Sequence, residues 1–317
     1  MPPQAMLASL LLAAAIILPA RAEYPERPVT IIHNYGPGTA SDATARAIAE
    51  AFAARFGQAF PVVNRDGAAG VVGTRALATS APDGYTLLIG PMTAITAQPW
   101  IVKDTGLNPD AVTPICNISA NMLGVVVRAD SPFRDGAGLI AAAKAKRLVY
   151  GTTGQLSLSA LGVVKLQQAA GGEYDSVAYR SDGASLADVL GGRLDFAATM
   201  LANATPQIEA GQLRLIGVFA DRRYPAFPNA PTFPEQGIAA EQMSYAGMLA
   251  PKGTPAPILA KLEAACAEAM RAAPWQRAVE RFGIVPDYRD RAGFAALLAQ
   301  EYGTAGKILQ AMGVQPE

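Results

Sequence analysis

One unit repeats along this chain: a short β-prone run, a loop of small residues, and the start of a helix. Its first copy, residues 29–57, reads as a strand (29–32), a turn-rich loop from Tyr35 to Asp42, and a helix from about residue 43 to 56. Ile48, Phe52 and Phe56 recur at every fourth position, predicting one buried stripe, with Arg46 and Glu50 an i,i+4 step apart on the wet side. Asp42 or Ser41 is placed to cap the first turn, and Gly57 to end the helix. The first amides of a helix have no intrahelical acceptor and sit at the positive end of its dipole, so such a loop is a ready seat for an anion. Its spacing matches neither the dinucleotide-binding glycine fingerprint nor a P-loop.

Later copies follow the same logic. A strand at 60–64 leads through Arg65 to Gly70 into a helix ending near Leu77, and a buried strand at 85–90 opens into a loop at 91–96. The alternation restarts with a strand at 123–128, a helix at 138–146, and a strand at Val149 whose loop, Thr152 to Ser159, enters a helix closed by Gly171. A strand at 176–179, a helix at 184–190 and strands at 194–198 and 214–219 come next. Pro225, Pro228, Pro231 and Pro234 form a stiff connector, and a returning strand at 245–250 precedes three helices at 257–271, 274–282 and 292–312. Strands alternating with helices predict parallel sheets covered on both faces, with ligands at the carboxyl ends of the strands. Two such halves, each with a helix-start loop, describe a hinged clamp; closing it excludes water and strengthens charge-assisted hydrogen bonds.

Charge narrows the partners. Lys plus Arg and Asp plus Glu number 26 each, with no basic run to attract nucleic acid or a membrane surface. Residues 7–18 form an apolar run too short to span a bilayer, followed by Ala20-Arg21-Ala22, so a secretory signal peptide over residues 1–22 is expected, cleaved after Ala22, although Met1 to Met6 carry no Lys or Arg. With one His and no Cys/His cluster, neither a metal site nor a cofactor is expected. A secreted context permits a disulfide, but a chain this large needs no staple, and Cys116 and Cys266 are expected as two buried free thiols. His33 near Ser41 and Asp42 superficially offers triad components; without a Gly-x-Ser-x-Gly elbow it reads as a packing residue, which makes a hydrolase the weaker alternative and leaves no catalytic residue expected.

Several segments carry a resemblance across nearly the whole chain: Tyr24-Pro25-Glu26-Arg27-Pro28, Asn64-Arg65, Ala81-Pro82-Asp83-Gly84-Tyr85, Pro231-Thr232-Phe233 and Leu249-Ala250-Pro251-Lys252-Gly253-Thr254-Pro255. In that order the chain resembles the Bug family, the periplasmic solute-binding receptors of tripartite tricarboxylate transporters. The resemblance implies an α/β, two-lobed type II periplasmic-binding-protein fold, each lobe a mainly parallel sheet flanked by helices. Residues 23–123 plus 243–317 would make the first lobe and 124–242 the second, joined by crossover strands. It implies a monomer that holds a small organic carboxylate between the lobes. The partners would be one large and one small integral membrane transporter subunit, or, in a receptor that has lost its transporter, a sensor ectodomain.

Carried over by position, Tyr35, Gly38 and Asp42 fit the family's first-lobe loop, whereas Asn34 and Thr39 depart from it, and Thr39 adds a hydroxyl where glycine is common. In the second-lobe loop Thr152, Thr153 and Ser157 keep hydroxyl donors, while Leu156 and Ala160 stand where Gly and His are usual. The ligand-binding set implied is Tyr35, Gly38, Thr39, Ser41, Asp42, Thr93, Thr152, Thr153, Ser157, Tyr179, Ser181 and Thr199. Thr199 stands where an acid is common, which favours a ligand without an ammonium group.

Overall fold

The computed structural model describes residues 24–316. The expected leader and its cleavage site lie outside the described residues. The first half of the chain runs β1 (Thr30–His33), α1 (Ala40–Phe56), β2 (Val62–Asn64), α2 (Val71–Ala78), β3 (Thr86–Pro91), α3 (Thr93–Thr96) and β4 (Val112–Arg128). Then come α4 (Gly136–Ala145), β5 (Leu148–Thr152), α5 (Leu158–Ala170), β6 (Tyr174–Ala178), α6 (Asp182–Leu190), β7 (Phe196–Met200), α7 (Leu201–Glu209) and β8 (Leu213–Val218). The chain returns through β9 (Met243–Pro251) to α8 (Ala256–Ala269), α9 (Ala273–Phe282), β10 (Val285–Arg289) and α10 (Arg291–Ala311).

Parallel ladders hold the outer strands of each lobe, β2-β1-β3 in one and β7-β5-β6 in the other. Between them the pairing turns antiparallel, β3 with β9 and β9 with β4. Strand β4 makes the passage. Its first part, through Met122, pairs with β9 and β10, and its second part, from Leu123, pairs with β7 and β8. One uninterrupted strand therefore belongs to both sheets, and β9 carries the chain back beside it. The register shifts after Pro114, where a proline cannot donate to the ladder, and again after Asn117.

The cores follow the sheets. Helices α1, α8 and α9 cover one face of the first sheet, where Ile48 and Phe52 of the predicted stripe are fully buried beside Leu262 and Trp275. On the opposite face α2 and α10 contribute Leu77, Phe294 and Leu297. Gly247 admits Phe294 to the crossover strand: a Cβ there would stand 2.4 Å from the Phe294 ring and 2.7 Å from the Cys116 carbonyl. A separate apolar cluster bridges the lobes, with Leu161 of α5 against Ala97 and against Ala305, Ile308 and Leu309 of α10. Among the described residues no helix is long and apolar enough to cross a membrane.

One expectation is corrected. Cys116 of β4 and Cys266 of α8 are both fully buried and are joined in a disulfide, not two free thiols. Both face the same packed layer, which brings their Cα atoms to 6.7 Å, within bridging range. Arg46 and Glu50 do not pair with each other. Arg46 turns back one helical step to Asp42 (Nε–Oδ2 2.9 Å), a buried carboxylate at the same spacing, and Glu50 accepts from Arg277 of α9 at 3.0 Å.

Candidate functional site

A cavity of about 1180 Å³ opens between the lobes, and four helices begin on its walls: α1 from the first lobe and α5, α6 and α7 from the second. Each of the four follows the carboxyl end of a strand, β1, β5, β6 and β7 respectively.

At the start of α1 the cap is Thr39, not Ser41 or Asp42. Thr39 is extended, and its Oγ1 accepts from the Asp42 amide at 3.1 Å. Asp42 has a different task. Its side chain is buried beneath the loop, where Oδ2 accepts from the Gly38 amide (3.1 Å) and Arg46 Nε (2.9 Å), and Oδ1 from Asn64 Nδ2 (2.9 Å). Burial pushes its pKa up, but the bonds from Arg46, Asn64 and Gly38 outweigh it and hold the carboxyl below its usual range. Gly38 takes φ 84°, a left-handed conformation that lets the loop fold back over Asp42. Pinned this way, the loop leaves the amides of Thr39, Ala40 and Ser41 without an acceptor among the described residues, all three lining the cleft.

The second lobe repeats the device. Ser157 caps α5, its Oγ accepting from the Ala160 amide at 3.3 Å and sharing a hydrogen bond with Thr152 Oγ1 at 2.8 Å. The Leu158 and Ser159 amides are left open on cleft-lining residues. Ser181 caps α6 through the Ala184 amide, and α7 starts at Met200 with no side-chain cap. Arg281 is the one Lys or Arg among the cleft-lining residues, so at the α1 and α5 starts the groups able to favour an anion are amides and helix dipoles.

Of the residues picked from sequence, Tyr35, Gly38, Thr39 and Ser41 of the first loop, Thr93 after β3, and Thr153 and Ser157 of the second loop line the cleft together. Burial pushes the Tyr35 hydroxyl's pKa up, opposed in part by a side-chain bond to Thr93. The other five stand behind or beside it. Asp42 and Thr152 support the two loops from below, and Ser181 is a helix cap. Thr199 is fully buried with its hydroxyl donating to the Met200 carbonyl at 3.3 Å. Tyr179 is turned to Asp188, donating to Oδ2 at 2.7 Å.

Sequence reasoning passed over Asn121, Asp182, Asn203 and Ser244, which also line the cleft. Asn121 and Ser244 are register partners on β4 and β9, visible only once those strands are known to run side by side through the crossover. Asp182 falls just ahead of the helix read at 184–190, and Asn203 lies on a helix that Pro206 conceals.

His33 is fully buried. Its Nδ1 lies 2.7 Å from the Ile89 carbonyl, which can only accept, so Nδ1 carries the proton and Nε2 is left to accept from Ser41 Oγ at 3.3 Å. Burial pushes its pKa down, keeping the ring neutral. A carbonyl thus stands where a triad would need a carboxylate, and Asp42 is committed elsewhere. Among the described residues no cluster of three or more His, Cys, Asp or Glu side chains is placed to hold a metal ion.

Residues 44–314 match a family model described as tripartite tricarboxylate transporter family receptor, TctC. The chain belongs to this family. It is 32% identical over 305 residues to the Cupriavidus necator UPF0065 protein in gbd 5'region, covering 94% of this chain and 92% of that one. To BugT of Bordetella pertussis it is 29% identical over 282 residues, 86% of each chain. The fold matches a ligand-free TctC solute-binding protein from Polaromonas with a TM-score of 0.83 at 25% identity, over 91% of this receptor and 100% of that chain. It also matches R. palustris Rpa4515 with adipate (TM-score 0.76, 26% identity, 93% and 100% covered) and MatC from Rhodopseudomonas palustris with bound malate (0.71, 25%, 90% and 100%). The two-lobed α/β architecture of this TctC-family receptor is therefore that of solved solute-binding proteins.

Proposed function

We propose that this chain is a periplasmic receptor that captures a small organic carboxylate in the interlobe cleft and delivers it to a tripartite tricarboxylate-type transporter, without chemistry of its own. The observation that carries this reading is the pair of open helix starts, one on each lobe, whose unaccepted amides line a single cavity. One carboxylate would lodge at Thr39, Ala40 and Ser41, and a second polar end at Leu158 and Ser159, with Tyr35, Thr93 and Thr153 shaping the walls. Each charge-assisted hydrogen bond contributes about 1.5–3 kcal/mol. Several of them, after the costs of association, reach the roughly 8 kcal/mol of a micromolar complex. The solved relatives holding adipate and malate, both dicarboxylates, support this chemistry.

On the same reading residues 23–123 plus 243–317 form one lobe and 124–242 the other, with the hinge where β4 and β9 pass between them. The receptor works as a monomer after cleavage behind Ala22 and meets one large and one small membrane subunit. Asp42, Thr152 and Ser181 act by holding the binding loops in shape, and Tyr179 and Thr199 from outside the first contact layer. Native mass spectrometry of protein taken directly from the periplasm tests the proposal. The expected spectrum is a chain beginning at Glu23 and carrying a small-acid adduct. A bare chain that also binds no mono- or dicarboxylate in calorimetry contradicts it.

A further inference from the structure

Asp182 opens α6 on the wall of the cleft and is only 8% exposed. One of its oxygens is used, Oδ2 accepting from Asn203 Nδ2 of α7 at 2.7 Å. The other, Oδ1, is buried with no hydrogen-bond partner. Its backbone carbonyl is taken by Ser185 Oγ at 2.9 Å, and Arg281, on α9 of the other lobe, is the one Lys or Arg among the residues lining the cleft. A half-satisfied buried carboxylate is expensive, and the α6 dipole offsets only part of that cost. Asn203 adds a second acceptor: one N–H of its amide is committed to Asp182, and its exposed side chain has its own carbonyl to offer. This corner of the cleft is therefore rich in acceptors and negatively charged, whereas the α1 and α5 starts are rich in donors. A ligand carboxylate is repelled from Asp182 and attracted to the other two.

We infer that the ligand carries, besides its carboxylate, a hydrogen-bond donor group, a hydroxyl or an ammonium, seated on Asp182, and that Asp182 sets this specificity. The inference rests on the carboxylate-receptor reading above and sharpens it. Thr199 in place of an acid argued against an ammonium; Asp182, Glu209 and Glu280 bring acids to the cleft lining from other elements, and of these three Asp182 is the buried one.

The test is calorimetry on the mature protein, stripped of bound ligand by unfolding and refolding, with matched acids. The series are succinate, malate and aspartate; glutarate, 2-hydroxyglutarate and glutamate; and butyrate, 2-hydroxybutyrate and 2-aminobutyrate. In whichever series binds, the hydroxy or amino member is expected to bind at least about tenfold more tightly than the unsubstituted acid, as one charge-assisted bond allows. Which of the two is preferred identifies the donor. Asp182→Asn, nearly identical in shape, is expected to erase that preference, so that the hydroxy or amino member binds no more tightly than the unsubstituted acid. Unsubstituted acids that bind as tightly as their partners on the wild-type protein overturn the inference alone, even if the variant fails to fold. So does a D182N variant that weakens all members equally, the mark of a structural α6–α7 staple. If no acid in any series binds, the carboxylate reading falls and this inference with it.

Discussion

Asp42 is the side chain on which the first cleft-lining loop hangs. It takes a loop amide, a guanidinium and an asparagine at once, and so leaves the next three amides facing the cleft. Arg46 is half exposed, so solvent screens that ion pair and much of the stabilisation comes from Asn64 and Gly38. Asp42→Asn is expected to cost about 1–3 kcal/mol at neutral pH and to weaken acid binding, because Gly38 to Ser41 lose their template. The pH dependence has a definite sign. A carboxyl held below its ordinary value of 3.8 contributes stability above that value and loses it as pH falls through the lower folded pKa, so urea melts across the acid range should show a shallower decline in D42N than in wild type. An unchanged acid limb contradicts the role given to Asp42. At this scale the sequence exposed the loop but not the division of labour within it. Thr39, Ser41 and Asp42 offer the same capping chemistry, and only the extended backbone at Thr39 decides which oxygen meets the amide.

Strand β4 organises the elements, and it was only half legible. Its second part is an apolar run; its first part contains Pro114, Asn117, Ser119 and Asn121, which read as loop until β9 and β10 are seen to pair with it. Asn117, inside that stretch, is fully buried because its Nδ2 donates to the Asp287 carbonyl and carboxylate. Prolines hid two more elements, Pro206 in α7 and Pro286 in β10, both held by packing that local propensity does not register. The disulfide was misjudged for a related reason. Nothing local places Cys116 of a strand over Cys266 of a helix 150 residues later. Closing so long a loop restricts the unfolded chain strongly, and a Cys116→Ala/Cys266→Ala double variant is expected to lose about 2–5 kcal/mol of stability. Thiol titration of the unfolded, unreduced protein should find no free thiol; two titrating thiols contradict the bridge.

Across the whole molecule, the alternation of strands and helices was enough to predict an α/β chain with helix-start loops at the strand ends, because hydrophobic periodicity is local. How the lobes are threaded was not legible from periodicity, since β9 joins both β3 and β4 only through contacts distant in sequence. The family motifs supplied that part. The assembled molecule gathers four helix starts from two lobes around one cleft, with the Leu161, Ile308 and Leu309 cluster tying the lobes together at one side. The central claim is that amides from both lobes grip one carboxylate-bearing guest. A crystal structure of the receptor with its co-purified ligand tests it most directly: carboxylate oxygens are predicted within hydrogen-bond distance of the Thr39 to Ser41 amides, with the other polar end of the same molecule on Leu158 and Ser159, and a ligand seated away from both helix starts, or held by one lobe only, would contradict it.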